Sequence, residues 1–222
     1  MKLAHFDFES VFLIKPGLVN ILVIEREEDF YRYCNELMSQ IDGQNGGFCL
    51  SEGADIVGFS KNSVLISDYF SLQVNDKKVL QKLYQSLQTI ANDKFYLELE
   101  NLRRQFSLFF EHLNSESDFP INYDVEDAFS GILKAFDVKI EEEHTFLSKL
   151  ISYVRIMSEF AKIKCFFFIN LKTFLDEKQI SEFYHEMQLN EISIFLLENT
   201  VKPKLPSEYI TVIDRDLCEI IV

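Results

Sequence analysis

Two short runs that are apolar on both faces, Cys165–Ile169 and Ile192–Leu197, flank a stretch whose apolar residues recur at helical spacing. Such runs suit buried parallel strands, and the amphipathic stretch suits the crossover helix between them, so the pattern predicts a βαβ unit within an α/β sheet. Residues 18–25 (LVNILVIE) and 63–68 (SVLISD) read as further strands, and the segment after the first carries Phe30, Cys34, Leu37 and Ile41 on one helical face. The opening residues, MKLAHFDFESVFLIKPG, alternate as a strand does, and YITVID with LCEIIV predicts a closing pair. Residues 43–58 hold five of the seven glycines and read as a loop excursion.

Between these strands lies a long helical tract, for which Asn75 or Asp76 offers an N-cap side chain. Val79, Leu80, Leu83, Leu87 and Ile90 form one stripe; after a weak point at Asn92 and Asp93, a second runs through Phe95, Leu99, Leu102, Phe106, Phe109 and Leu113. Some 35–40 helical residues would span roughly 50–60 Å, longer than a compact α/β core requires. An acidic connector follows at 116–127, without Lys or Arg, in which Pro120 stops helix propagation. One helix with Phe129, Ile132, Leu133 and Phe136 and another with Phe146, Leu147, Leu150, Ile151, Val154 and Met157 lead back to the βαβ unit. The expected design is discontinuous: an α/β head from residues 1–75 and 141–222, with a helical lobe, 76–140, inserted.

Composition changes this picture in two places. No apolar stretch approaches the roughly 20 residues of a membrane span, and Asp7 and Glu9 interrupt any signal core, so the expectation is a cytoplasmic chain without a targeting segment. Cys34, Cys49, Cys165 and Cys218 are scattered, as reduced thiols would be. The net charge of −14 argues, taken whole, against nucleic acid. Residues 76–115, however, hold Lys77, Lys78, Lys82, Lys94, Arg103 and Arg104 against Asp76, Asp93, Glu98, Glu100 and Glu111, a balance of +1. An acidic body with a basic working surface is one reading of that segregation; an ordinary solvated helix face is the other.

The chemistry an α/β sheet usually hosts is missing. The glycine-rich loop GQNGG at 43–47 has no Gly-Lys pair, and neither a P-loop nor a dinucleotide fingerprint occurs. The four histidines are far apart, no G-x-S-x-G appears, and Cys165 sits inside a strand. Asp68, Asn170 and Glu198 close three strands, where sites are built or where such residues merely cap the next helix. Glu116, Asp118, Asp124, Glu126 and Asp127 form the best candidate for a hard cation such as calcium, with a solvated acidic turn as the alternative.

In series, VLISD (64–68), V-N (74–75), N-D-K (92–94), L-K-A-F-D-V-K-I-E (133–141), FFINLKTFLDEKQI (167–180) and IFLLE (194–198) resemble the small CRISPR-associated protein of type II-A systems that serves spacer acquisition, the Csn family. The resemblance implies a head related to P-loop ATPase cores but without a nucleotide site, and a helical leg. It further implies a non-enzymatic homotetrameric ring that encloses double-stranded DNA and loads over its ends, working with the adaptation integrase and the effector nuclease. Lys94, Lys134 and Lys139 fall in matching blocks and are the lysines the resemblance places near DNA; Lys77, Lys78 and Lys82 join them from helix spacing, Lys78 and Lys82 being four apart. Phosphate contacts alone suffice for binding without sequence preference. The family's calcium ligands correspond here to Asp118, Asp124, Glu126 and Asp127, in a run that Phe119, Pro120 and Ile121 interrupt and with Gly131 where an acid is expected.

Two other classes of function stay open on the residues alone: an acidic protein-interaction scaffold without direct DNA binding, and an unusual nucleotide enzyme using Asp68 and Glu198.

Overall fold

The amino-terminal alternation forms two short strands, Lys2–His5 (β1) and Phe12–Leu13 (β2), and the buried strand expected next is Val19–Ile24 (β3), followed by the helix Glu27–Ile41 (α1). Residues 43–58 are not the loop excursion the glycines suggest: Phe48–Glu52 (β4) and Asp55–Ile56 (β5) make a hairpin, with Gly53 at φ +65 in its turn. Glycine supplies the left-handed conformation that such a turn needs, so glycine density here marks a reversal between strands. A one-turn helix, Phe59–Asn62 (α2), leads to Ser63–Ile66 (β6). Three helices follow, Lys77–Lys94 (α3), Tyr96–Glu116 (α4) and Phe129–Ala135 (α5). The chain closes with Phe146–Ala161 (α6), Cys165–Ile169 (β7), Glu177–Leu189 (α7), Ser193–Glu198 (β8), Glu208–Ile213 (β9) and Glu219–Ile221 (β10). This computed structural model describes every residue except 126 and 127, and every remaining side chain except that of Lys78. Among the described residues no helix is long and apolar enough to cross a membrane.

The fold is mixed α/β. A six-stranded sheet has the order β10-β9-β3-β8-β7-β6, parallel throughout except for the antiparallel edge strand β10. A four-stranded antiparallel sheet has the order β2-β1-β4-β5. β7 and β8 pair in parallel from Cys165 opposite Ser193 to Ile169 opposite Leu197, which is the βαβ unit read from the sequence.

Strands apolar on both faces separate two cores. On one side Phe166, Phe168, Ile194 and Leu196 pack with Leu150 and Val154 of α6 and Ile180 and Phe183 of α7. On the other, Cys165, Phe167, Phe195 and Leu197 pack with Tyr33 and Leu37 of α1 and with Leu3 and Leu50 of the small sheet. Phe166, Phe167 and Phe168 are consecutive and fully buried, each contributing about 1.5–3 kcal/mol of transfer free energy. α7 starts with a capping box in which Asp176 accepts from the Gln179 N–H and Gln179 returns a bond to the Asp176 N–H.

The chain divides into two compact units, one of residues 1–73 and 142–222 and one of residues 74–141. In the second, Asp76 is the N-cap of α3, accepting from the Val79 N–H at 2.8 Å. Asn75 does different work: its amide donates to the Ile140 carbonyl and accepts from the Ile140 N–H, both at 2.9 Å, tying the two ends of the unit together. The expected weak point at Asn92–Asp93 is helical; the break falls at Phe95 (φ −126, ψ 32), the single residue between α3 and α4. Of the second apolar stripe, only Leu99 is buried, and Phe95, Leu102, Phe106, Phe109 and Leu113 remain exposed.

Candidate functional site

The carboxyl edge of a parallel sheet is where such folds place ligands, and here its polar residues serve the chain's own turns. Asp68 Oδ1 accepts from the N–H groups of Phe70 and Ser71 at 3.0 and 3.3 Å, and the Ser71 side chain, with these backbone bonds, holds its carboxyl below the usual range. Asn170, in the left-handed conformation (φ 54), accepts from the Asn199 N–H through Oδ1. Glu198 Oε1 accepts from the Lys172 N–H at 3.0 Å, and burial pushes the Glu198 carboxyl up to about 7. None of the three caps the helix after its own strand: Asp68 closes a turn in its loop, Asn170 makes no side-chain cap bond to the turn Leu171–Thr173, and Glu198 reaches Lys172 from the neighbouring strand.

The connection from β3 to α1 is two residues long, Glu25 and Arg26. A phosphate-binding loop needs several backbone N–H groups turned toward one point ahead of the helix. Here the first turn of α1 carries Glu27, Glu28 and Asp29, which already complement the positive end of the helix dipole. Asp29 is held by Arg32, whose guanidinium donates to Oδ1 at 3.1 Å, and by Arg26, whose Nε lies 3.1 Å from Oδ2. A phosphate would meet three carboxylates at this point.

The helical unit is different in character. A groove of about 840 Å³ is lined by Asn75, Lys77, Leu80, Gln81, Tyr84, Gln85, Gln88 and Thr89 from α3 and its start, and by Ser130 and Lys134 of α5. Among the described residues its lining contains no carboxylate, in a chain with 36 Asp and Glu. Tyr84 forms part of the wall and is fixed by donating to the Val138 carbonyl at 3.0 Å.

The structure thus sorts the six lysines. Lys77 and Lys134, far apart in sequence, line one groove. Lys82 and Lys94 are exposed on α3; at about 100° per residue Lys82 lies some 140° around the helix from Lys77. Lys139 is ion-paired with Asp137 at 2.6 Å. The side chain of Lys78 lies outside the described residues, so its pairing with Lys82 rests on spacing alone.

Of the acidic candidates, Asp118 and Asp124 are exposed, in non-helical backbone after α4. Glu126 and Asp127 lie outside the described residues. Among the described residues no group of three or more His, Cys, Asp or Glu could hold a metal ion, two of the four expected ligands lying outside them. Sequence reasoning missed the amides Gln81, Gln85 and Gln88; the signal available was their spacing of four and three residues on the face of Lys77.

Compared with known proteins, residues 40–217 of the 222 match the model of a family described as CRISPR-associated protein (Cas_Csn2). No match was found among curated proteins. The family match covers most of the α/β unit and all of the helical one. The chain belongs to the CRISPR-associated Cas_Csn2 family.

Proposed function

We propose that the protein is a non-enzymatic clamp for double-stranded DNA ends, assembled as a homotetrameric ring and acting in CRISPR spacer acquisition in the cytoplasm with the adaptation integrase and the effector nuclease. The observation that carries the reading is the groove holding Lys77 and Lys134, with no carboxylate in its lining among the described residues, in a chain of net charge −14. Two groove lysines per copy, each neutralising one phosphate, add a slope of about −2 per copy to log K against log salt. Several copies around one duplex multiply that term.

Two further features support the ring and the lack of enzymatic activity. The stripe Leu102, Phe106, Phe109 and Leu113 leaves α4 with an apolar face that its own unit does not cover, which favours association of copies. In the head, the two-residue β3–α1 connection and the acidic first turn of α1 fit a relative of P-loop ATPase cores that has lost phosphate binding.

Gel-shift titration with one duplex, supplied linear and as a relaxed closed circle, tests the clamp. The linear form is expected to bind with affinity that falls steeply as salt rises, and the circle to bind weakly. Equal binding of both forms removes the threading model. No binding of either, with capture of a basic protein instead, favours the scaffold.

A further inference from the structure

Donors outnumber charges in the groove between α3 and α5. Along α3, Lys77, Gln81, Gln85 and Gln88 follow one another at steps of four, four and three residues and all line the groove, with the hydroxyl of Ser130 on the α5 wall. Among the described residues, the side chains of Lys77, Gln81, Gln85, Ser130 and Lys134 have no hydrogen-bond or ion-pair partner. Gln88 donates to Asn92 at 3.2 Å and Thr89 to the Gln85 carbonyl at 3.1 Å, so the free donors are Gln81 and Gln85 with the two lysines and the serine. The row from residue 77 to 88 rises about 16 Å along the helix axis, and one strand of B-DNA presents a phosphate about every 3.4 Å of its axis.

We propose that this groove cradles the phosphodiester backbone of one DNA strand, with neutral amide and hydroxyl donors making more of the contacts than the two lysines do. The proposal rests on the reading of the protein as a DNA clamp. Protein–DNA complexes direct many of their hydrogen bonds to phosphate and sugar, and glutamine and serine side chains make such bonds without reading sequence. Amide donors release no counterion, so their contribution does not fade with salt as that of a lysine does. For a chain of net charge −14 this has a physical advantage: the polyanion is held by groups whose attraction survives screening, where the acidic body gives no help. Leu80 and Tyr84 supply an apolar part of the lining suited to sugar faces.

The experiment is fluorescence anisotropy with a short linear duplex across a salt series, comparing wild type, Gln81→Ala/Gln85→Ala, Lys77→Ala/Lys134→Ala and Gln85→Glu. All these positions face solvent or the groove, and alanine keeps helix propensity, so circular dichroism checks that each variant stays folded. The glutamine pair is expected to weaken binding about tenfold by the same factor at every salt concentration, with the slope unchanged. The lysine pair is expected to lower the slope by about one for each phosphate no longer neutralised, and Gln85→Glu to weaken binding more than alanine does. Wild-type affinity in the glutamine pair, with wild type binding normally, overturns the cradle and leaves the clamp standing. Failure of wild type to bind duplex overturns both. Displacement of duplex by a poly-aspartate peptide at equal charge concentration also overturns the cradle, in favour of a site for acidic protein segments.

Discussion

Lys172 Nζ lies 2.7 Å from Glu208 Oε1, with the two side chains only 7% and 0% exposed. The same ammonium donates to the Pro203 carbonyl at 2.8 Å, and Glu208 also accepts from the Tyr184 hydroxyl at 2.9 Å and the Leu205 N–H at 2.7 Å. A buried pair so fully bonded is costly to break from one side, because the remaining charge has no water to turn to. Lys172→Met is therefore expected to lower the unfolding free energy by about 3–5 kcal/mol, read by urea denaturation. Lys172→Met/Glu208→Gln is expected to recover much of the loss. A single variant as stable as wild type would show that the pair does not hold the turn after β7 to β9 and to the loop before it.

Glu198 makes the α/β unit sensitive to pH in a definite direction. Its side chain is buried, Oε2 has no hydrogen-bond partner among the described residues, and its pKa rises from 4.5 to about 7, chiefly through loss of solvent. A carboxyl raised on folding binds more protons in the folded state, so its contribution to stability is full below about 4.5 and is lost as the pH rises through about 7. The shift corresponds to roughly 3 kcal/mol. Glu198→Gln keeps the shape of the protonated acid, so urea denaturation should find the variant near wild type at low pH and more stable than wild type above neutrality. A stability difference independent of pH would overturn the assignment.

The parts of the fold legible in the sequence are those decided within a short window. β7 and β8 are apolar on both faces because both faces are covered, and α7 between them carries its own capping box. The hairpin of β4 and β5 is not legible in that way, since Phe48 and Leu50 become a strand only by pairing with β1, far upstream in the chain. Periodicity predicts α4 as a helix but is silent on whether its apolar face is covered by its own unit. The groove is harder still. Helix spacing draws attention to Lys78 and Lys82, whereas Lys77 and Lys134 line one groove because α5 packs beside α3, and the spacing of the glutamines puts them on one helix face without showing that the face borders a groove.

Asn75 separates the role of the junction from that of the helix cap beside it. Asn75→Ala removes both bonds to Ile140, while Asp76→Ala removes the cap on Val79. Losing the cap costs about 1 kcal/mol; losing the Asn75 bridge leaves the Ile140 N–H and carbonyl partly buried without their partner, about 1–3 kcal/mol. Hydrogen exchange checks this: Asn75→Ala should speed exchange at Ile140 and through α3, and Asp76→Ala only in the first turn of α3. Equal local effects from both would show that Asn75 acts as no more than a turn residue.

The exposed stripe of α4 gives the sharpest test of assembly. Leu102, Phe106, Phe109 and Leu113 are 45%, 37%, 56% and 42% exposed and follow steps of four, three and four residues, the spacing of a helix seam that packs against another helix. Phe110, one position around, is already occupied by stacking on Tyr123 at 5.0 Å, so the face free for another copy is the one Phe109 marks. Placing a carboxylate there costs little in a lone chain, where water reaches it, and several kcal/mol in an apolar contact between copies. Phe109→Glu is expected to leave the helix content unchanged and to move the sedimenting mass down toward the 26.1 kDa of a single chain. Its binding to linear duplex should fall with it, because phosphate contacts from separate copies no longer add along one DNA. A variant that sediments with the same mass as wild type would show that this face joins no copies of the chain.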